Sequence, residues 1–262
     1  MMNLHKPIPS LIDLHSDRLT GLNRQETEQI VWKVMTIMRL YRMPESYIRL
    51  RRSFKTCLDF VVTDDKAFNQ LNRDDLNLLI KIKNPFFQRI ILSSDKFFSA
   101  LSEKDIILYG TSGDMEVRTR CAESTVFAKK IPLEVLNSFV NDEPDVVSAL
   151  ANNETAIARL SKENVEKIAS RTESFVRRAL ISNKKAPRKL SNNMIYGFLI
   201  DPEPSVRIAA IKNPEVLKLI SRKRLKKLLD NEKDWRVIES LKMQLDRNTD
   251  LMRIQRNSLY TK

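Results

Sequence analysis

The chain has 262 residues, with 46 Lys and Arg against 33 Asp and Glu, so its formal net charge is +13. The chain has two cysteines, two histidines and four scattered glycines. These are too few for a His-based metal site, a Ser-His-Asp triad or a Gly-rich phosphate loop, so we do not expect any of the three. No apolar run is long enough to span a membrane and the first residues lack the apolar core of a secretion signal, so we expect a soluble, cytoplasmic protein.

The first predicted elements form an N-terminal arm and capping helix over residues 1–54. Residues 1–22 show no sustained periodicity and are predicted to be an irregular arm. Asn23 and Glu26 have the spacing of a capping box, which indicates the start of a helix. That helix is expected to end before Pro44.

Residues 55–245 carry an internal repeat that places one aliphatic residue in each period. These aliphatic positions are Leu71, Leu101, Ile131, Leu160, Leu190 and Ile220. Ile131 precedes Pro132, a residue typical of a helix start, and every other position precedes a residue that caps helix N-termini. The caps are Asn72, Ser102, Ser161, Ser191 and Ser221. Because neighbouring positions are always 29 or 30 residues apart, we predict one capped helix per period.

A second apolar series predicts another helix in the first half of each period. Its positions are Cys57, Phe87, Val117, Val146, Val176 and Val206. Apolar residues follow at i+3 and i+4, as at Ala179 and Leu180, which is the spacing of one helix face. Small residues, among them Ala149, Ala179 and Ala209, predict close crossings between these first helices. Cys57 and Cys121 fall in these stretches and are expected to be buried thiols.

The connections and the tail complete the predicted architecture. Prolines are expected to interrupt the link between the two helices of a period, at Asn84-Pro85, Lys185-Ala186-Pro187 and Asn213-Pro214. No period can bury both of its faces alone, so neighbouring periods must stack. We therefore predict an all-α, right-handed α-solenoid of six or seven ~30-residue two-helix repeats, with a helical N-terminal cap and a tail over residues 246–262.

Residues 201–220 resemble a HEAT repeat. In that family an Asp near the turn and an Arg six positions later form a ladder between units, and Asp201 and Arg207 have this spacing. Other periods keep only fragments of the pattern: Arg118 and Arg177 match the Arg, whereas Asn141 stands at the Asp position of a period in which Val147 replaces the Arg. The array is thus similar to HEAT-like and leucine-rich-variant helical repeats. This resemblance implies a binding scaffold and does not imply a ligand.

Positive charge is concentrated near the C-terminal end, where residues 170–262 hold 22 Lys and Arg against 10 Asp and Glu. Two clusters, residues 184–189 and 222–227, lie about one period apart, so stacking is expected to bring them together. Such a row of cations is typical of nucleic-acid binding. The predicted nucleic-acid-binding residues are Arg177, Arg178, Lys184, Lys185, Arg188, Lys189, Arg207, Lys212, Arg222, Lys223, Arg224, Lys226 and Lys227.

Other functions remain open at this point. The same surface would serve an acidic protein partner, and a solvated, solubilising face is the simplest reading of either charge run alone. The segment Asp234-Trp235-Arg236 has the residue types with which HEAT-like DNA glycosylases grip a duplex, although the position of Trp235 favours a packing role. The pairs Phe86-Phe87 and Phe97-Phe98 are predicted to lie in the core. No catalytic residue, metal or cofactor is predicted, and DNA is the first expectation for the ligand.

Overall fold

The computed structural model describes residues 19–40 and 53–246, and this part of the chain is helical throughout, without strands. The all-α prediction is confirmed. The chain divides into two compact units, Met1–Pro132 and Leu133–Lys262. Residues 1–18 of the predicted arm, Pro44, both histidines and residues 247–262 lie outside the described residues. The predicted limits of the repeat array therefore stay predictions.

In the first unit the first helices of successive periods pack against one another. The helices are α1 (Arg24–Leu40), α2 (Ser53–Thr63), α3 (Asp65–Phe68), α4 (Arg73–Lys81), α5 (Pro85–Ile91), α6 (Asp95–Ala100), α7 (Glu103–Gly110), α8 (Met115–Glu123) and α9 (Thr125–Lys130). Helix α2 contacts α5, and α5 contacts α8, while α1 packs on α2 and α4.

The second unit repeats the arrangement. Its helices are α10 (Leu133–Ser138), α11 (Pro144–Asn152), α12 (Glu154–Arg159), α13 (Lys162–Ala169), α14 (Ser174–Ser182), α15 (Asn192–Leu199), α16 (Pro204–Lys212), α17 (Pro214–Leu217), α18 (Arg222–Asn231) and α19 (235–246). Two 3₁₀ turns, Phe139–Asn141 and Ala186–Lys189, add to them. Helices α11, α14 and α16 pack in succession, and each lies one period after the last.

The predicted caps are present at the starts of the second helices. All five cap side chains accept a hydrogen bond from the backbone N–H three residues later. The N···O distance is 2.9 Å at Asn72 and 3.2 Å at Ser161. Asn23 and Glu26 also form the predicted reciprocal pair, at 2.9 and 3.0 Å. These bonds satisfy backbone donors that a helix start leaves unpaired.

The two apolar series form the core. All six residues of the series that begins at Cys57 are buried, as are four of the six aliphatic residues that precede the second helices. The two at the ends of that aliphatic series, Leu71 and Ile220, are half-buried. Cys57 and Cys121 are free, buried thiols as predicted. Burial raises the pKa of Cys57 to about 11.

The links between the helices differ from the prediction in two respects. Each link from a first to a second helix contains a short helical segment, such as α17, rather than an irregular connection. Asn213 caps α17, and Pro214 occupies its first turn. Asn84-Pro85 instead begins α5, which is itself a first helix. A proline ends one helix but is well suited to the first turn of the next, so the dipeptide marks a start at both places.

Candidate nucleic-acid interface

A basic groove of about 470 Å³ lies between the neighbouring first helices α14 and α16. Its cations are Arg178 on α14, Lys212 at the end of α16, and Lys184 just after α14, and all three are exposed. Ser182 and Ser205 also line this groove. None of the described lining residues is acidic, so the groove presents an uncompensated positive potential.

The depth of this basic groove depends on small side chains in its floor. Residues 205, 209 and 212 follow the i, i+4, i+7 spacing of one stripe of α16, with Ile208 beside them. Ala209 is half-buried at the floor, whereas Ala179 is buried in the helix contacts. The close crossing predicted at Ala209 stays a prediction, and the small side chain of Ala209 leaves room for the groove beside it.

Two buried asparagines, Asn183 and Asn213, hold the backbone on either side of Lys184 at one end of the basic groove. Asn183 Oδ1 accepts a hydrogen bond from the Lys185 backbone N–H at 2.8 Å, and its Nδ2 donates to the Ala151 carbonyl at 2.8 Å. Asn213 Nδ2 donates to the Ile181 carbonyl at 2.7 Å. Sequence reasoning missed this ladder, although the spacing of Asn153, Asn183 and Asn213 was its signal.

Two arginines predicted to contact nucleic acid are instead joined to carboxylates. Arg177 donates to both carboxylate oxygens of Asp201, with N···O distances of 2.7 and 2.8 Å. Arg207 forms the same bidentate pair with Glu232, at 2.8 Å for both bonds. The hydrogen bonds that Arg177 donates to Asp201 raise the pKa of Arg177. These side chains hold adjacent periods together, which leaves their charge compensated.

The cations of the first basic cluster, residues 184–189, differ in whether another group of the protein binds their charge. Lys189 donates to the backbone carbonyls of Ala158 and Leu160 at the end of α12, and its burial lowers its pKa. Arg188 is 67% exposed but pairs with Glu215 at 3.2 Å. Lys184 and Lys185 are exposed. Only Lys184 of this cluster lines the basic groove.

The second cluster lies on α18, which is a second helix. Lys223, Lys226 and Lys227 are exposed. The Arg224 guanidinium stands 4.4 Å from the centroid of the Tyr196 ring on α15. Arg222 is half-buried. The basic groove is built from first helices instead, and none of its described lining residues comes from this cluster.

Trp235 does not pack in the core. Its side chain is 70% exposed at the first position of α19, ahead of the buried stripe Val237, Leu241 and Leu245. The predicted packing role is therefore wrong. The neighbouring Asp234 carboxylate pairs with Arg236 at 2.8 Å, and this hydrogen bond lowers the pKa of Asp234 to about 2.

The phenylalanines divide between core and surface. Phe87, Phe97 and Phe98 are buried as predicted, whereas Phe86 is 42% exposed. Phe175, which sequence reasoning did not single out, is 38% exposed on α14. Its spacing to Arg178 and Ser182 is i, i+3, i+7, so the three side chains share one face of the helix.

No known protein family is matched by the chain, and curated proteins show no significant sequence similarity to it. No helix among the described residues is long and apolar enough to cross a membrane.

Proposed function

We propose that this protein is a non-enzymatic DNA-binding protein and that the basic groove is the centre of its phosphate-contacting surface. The observation that carries this proposal is the convergence of Arg178, Lys184 and Lys212 on one groove whose described lining lacks a carboxylate. Cations held together without compensation repel one another, and an anionic ligand relieves that repulsion. Phosphates supply such an anion at regular spacing.

The exposed cations outside the groove extend this surface. Lys185 follows Lys184 directly, and Lys223, Lys226 and Lys227 add three solvated charges on α18. Solvated lysines attract a polyanion through the field they share and do not need to touch it in a fixed geometry. Arg177, Lys189 and Arg207 are left out of the proposed surface because their charged groups are engaged within the fold.

We infer that the scaffold is the right-handed α-solenoid of HEAT-like type predicted from the 30-residue period. Two observations within the second unit support this inference. Helices α11, α14 and α16 pack in succession at one-period intervals. The pairs Arg177–Asp201 and Arg207–Glu232 link successive periods in the manner that the resemblance to HEAT repeats implies.

A carboxylate placed in the groove floor tests the proposal. Ala209→Asp puts a negative charge among the three cations, and because Ala209 is half-buried beside open space the fold should tolerate it. We expect DNA affinity to fall at least tenfold, measured by fluorescence anisotropy with a labelled DNA oligonucleotide at 50 mM salt, while the melting temperature stays close to wild type. Ala209→Asn is the matched control, since it adds the same bulk without charge.

The acidic-protein alternative is an outcome of the same experiment. Polyglutamate that binds the wild-type chain, with no binding of DNA at 50 mM salt, would assign the groove to an acidic partner. If the Ala209→Asp and Ala209→Asn variants bound DNA with equal affinity, the DNA would not be contacting the groove, and the proposal would be rejected.

A further inference from the structure

We propose that the basic groove takes a single nucleic-acid strand, with one unpaired base stacked on the ring of Phe175. This inference rests on the proposed function. Phe175 and Arg178 share a face of α14, and both are exposed. An aromatic ring beside a phosphate-binding cation is the combination by which proteins hold single strands without regard to sequence.

The spacing along the two helices fits one or two nucleotides. Phe175 lies about 4.5 Å before Arg178 along the axis of α14, since each residue of a helix rises ~1.5 Å. On α16 the same rise separates Ser205 from Lys212 by about 10.5 Å. A strand that enters beside Phe175 would therefore pass Arg178 and then reach Lys184 and Lys212 at the far end of the groove.

A duplex can contact the cations of the groove but cannot use the ring of Phe175. The base faces of a duplex are covered by stacking on neighbouring base pairs, so the ring of Phe175 could contact only an unpaired base. The aromatic ring thus favours a single strand.

The first unit provides a matched aromatic residue with different surroundings. Phe86 is the second residue of α5, as Phe175 is of α14, and it is 42% exposed against 38%. The arginine three residues later, Arg89, is paired with Glu116, whereas Arg178 has no partner among the described residues. The Lys55 ammonium stands 5.2 Å from the centroid of the Phe86 ring and covers one of its faces. Phe86 therefore offers a ring of similar exposure that has one face occupied and stands beside a compensated arginine.

The experiment compares a short labelled oligonucleotide, single-stranded and as the duplex of the same sequence, by anisotropy with the full chain. We expect Phe175→Ala and Phe175→Leu to weaken single-strand binding about tenfold and to leave duplex binding unchanged, since stacking on one base is lost. Phe175→Trp should retain the affinity because it retains an aromatic face. Phe86→Ala should behave as wild type.

The outcomes separate this inference from the proposed function. Equal losses of single-strand and duplex affinity in Phe175→Leu, or no loss of either, would overturn the stacking role. In that case the proposed function would stand as long as Ala209→Asp still weakened binding. If neither polymer bound the wild-type chain at 50 mM salt, the proposed function would fall and this inference with it.

Discussion

Arg177 and Arg178 are adjacent in sequence and have opposite environments. Successive residues of a helix point about 100° apart, so Arg177 faces Asp201 of the next period while Arg178 faces the basic groove. A count of charged residues along the sequence does not distinguish the two. Both face the next period, and their difference arises from the part of it that each one meets: the turn that carries Asp201 for Arg177, and the exposed stripe of α16 for Arg178.

The Arg177–Asp201 pair should contribute measurably to stability. The Arg177 side chain is only 14% exposed, and its removal leaves the Asp201 carboxylate without its bidentate partner. We expect Arg177→Ala to lower the free energy of unfolding by about 2 kcal/mol, less than for a fully buried pair because the guanidinium keeps some contact with water. Urea denaturation measures this change.

Arg188→Ala is the control for that measurement, because the pair with Glu215 is solvated. It should leave the urea midpoint unchanged, as exposed ion pairs contribute little. If Arg188→Ala proved as destabilising as Arg177→Ala, the distinction between compensated structural arginines and surface cations would be lost.

At the residue scale the sequence predicted some environments and not others. The buried thiols and the apolar positions could be predicted because helical spacing assigns them to one face. Trp235 and Phe86 could not, since both stand in the first turns of their helices, ahead of the buried stripe. A large aromatic residue at that position has few neighbours from its own helix, and the adjacent period decides whether it is covered.

At the scale of the element, helix starts were predictable because caps are local. Ser161 accepts from the Asn164 N–H, and Asn164 also donates through Nδ2 to Asn137 Oδ1 at 2.9 Å. We expect Ser161→Ala to lower the free energy of unfolding by about 1 kcal/mol. Thermal and urea unfolding measure the change.

Ser148 offers the comparison for this cap. It lies in the middle of α11 and is half-buried. Ser148→Ala should be neutral or slightly stabilising, because alanine is the better helix former and no cap is removed. A larger loss at Ser148 than at Ser161 would contradict the assignment of helix starts.

The short segments such as α17 were missed because four to six residues carry too little periodicity to be recognised as a helix. Their stability comes from neighbours. The turn Ala186–Lys189 contacts both α12 and α17, and Asn213 ties the start of α17 to the preceding period. Short helices of this kind are marginal on their own.

At the scale of the whole molecule, the net charge of +13 predicts a strongly salt-dependent affinity. A surface that contacts about six phosphates should lose roughly 10³ in duplex affinity between 50 and 200 mM salt. Neutralising the groove with Arg178→Gln, Lys184→Gln and Lys212→Gln should reduce the slope of log affinity against log salt by about two to three. Anisotropy titrations at several salt concentrations measure the slope.

The matched control removes the same charge from α18. Lys223→Gln, Lys226→Gln and Lys227→Gln are exposed substitutions outside the groove, so they should reduce the slope less. Equal reductions in the two triple variants would show that net charge alone, rather than the groove, determines binding.

The sequence by itself determined the helical class, the 30-residue period, the capped starts and the buried stripes. Each depends on residues three, four or thirty positions apart, and such spacings can be counted along the chain. The tertiary structure alone decided which cations are available to a ligand. Their partners come from other periods, such as Asp201 for Arg177 or the Ala158 carbonyl for Lys189. Only the register with which the helices stack brings those groups within hydrogen-bonding distance.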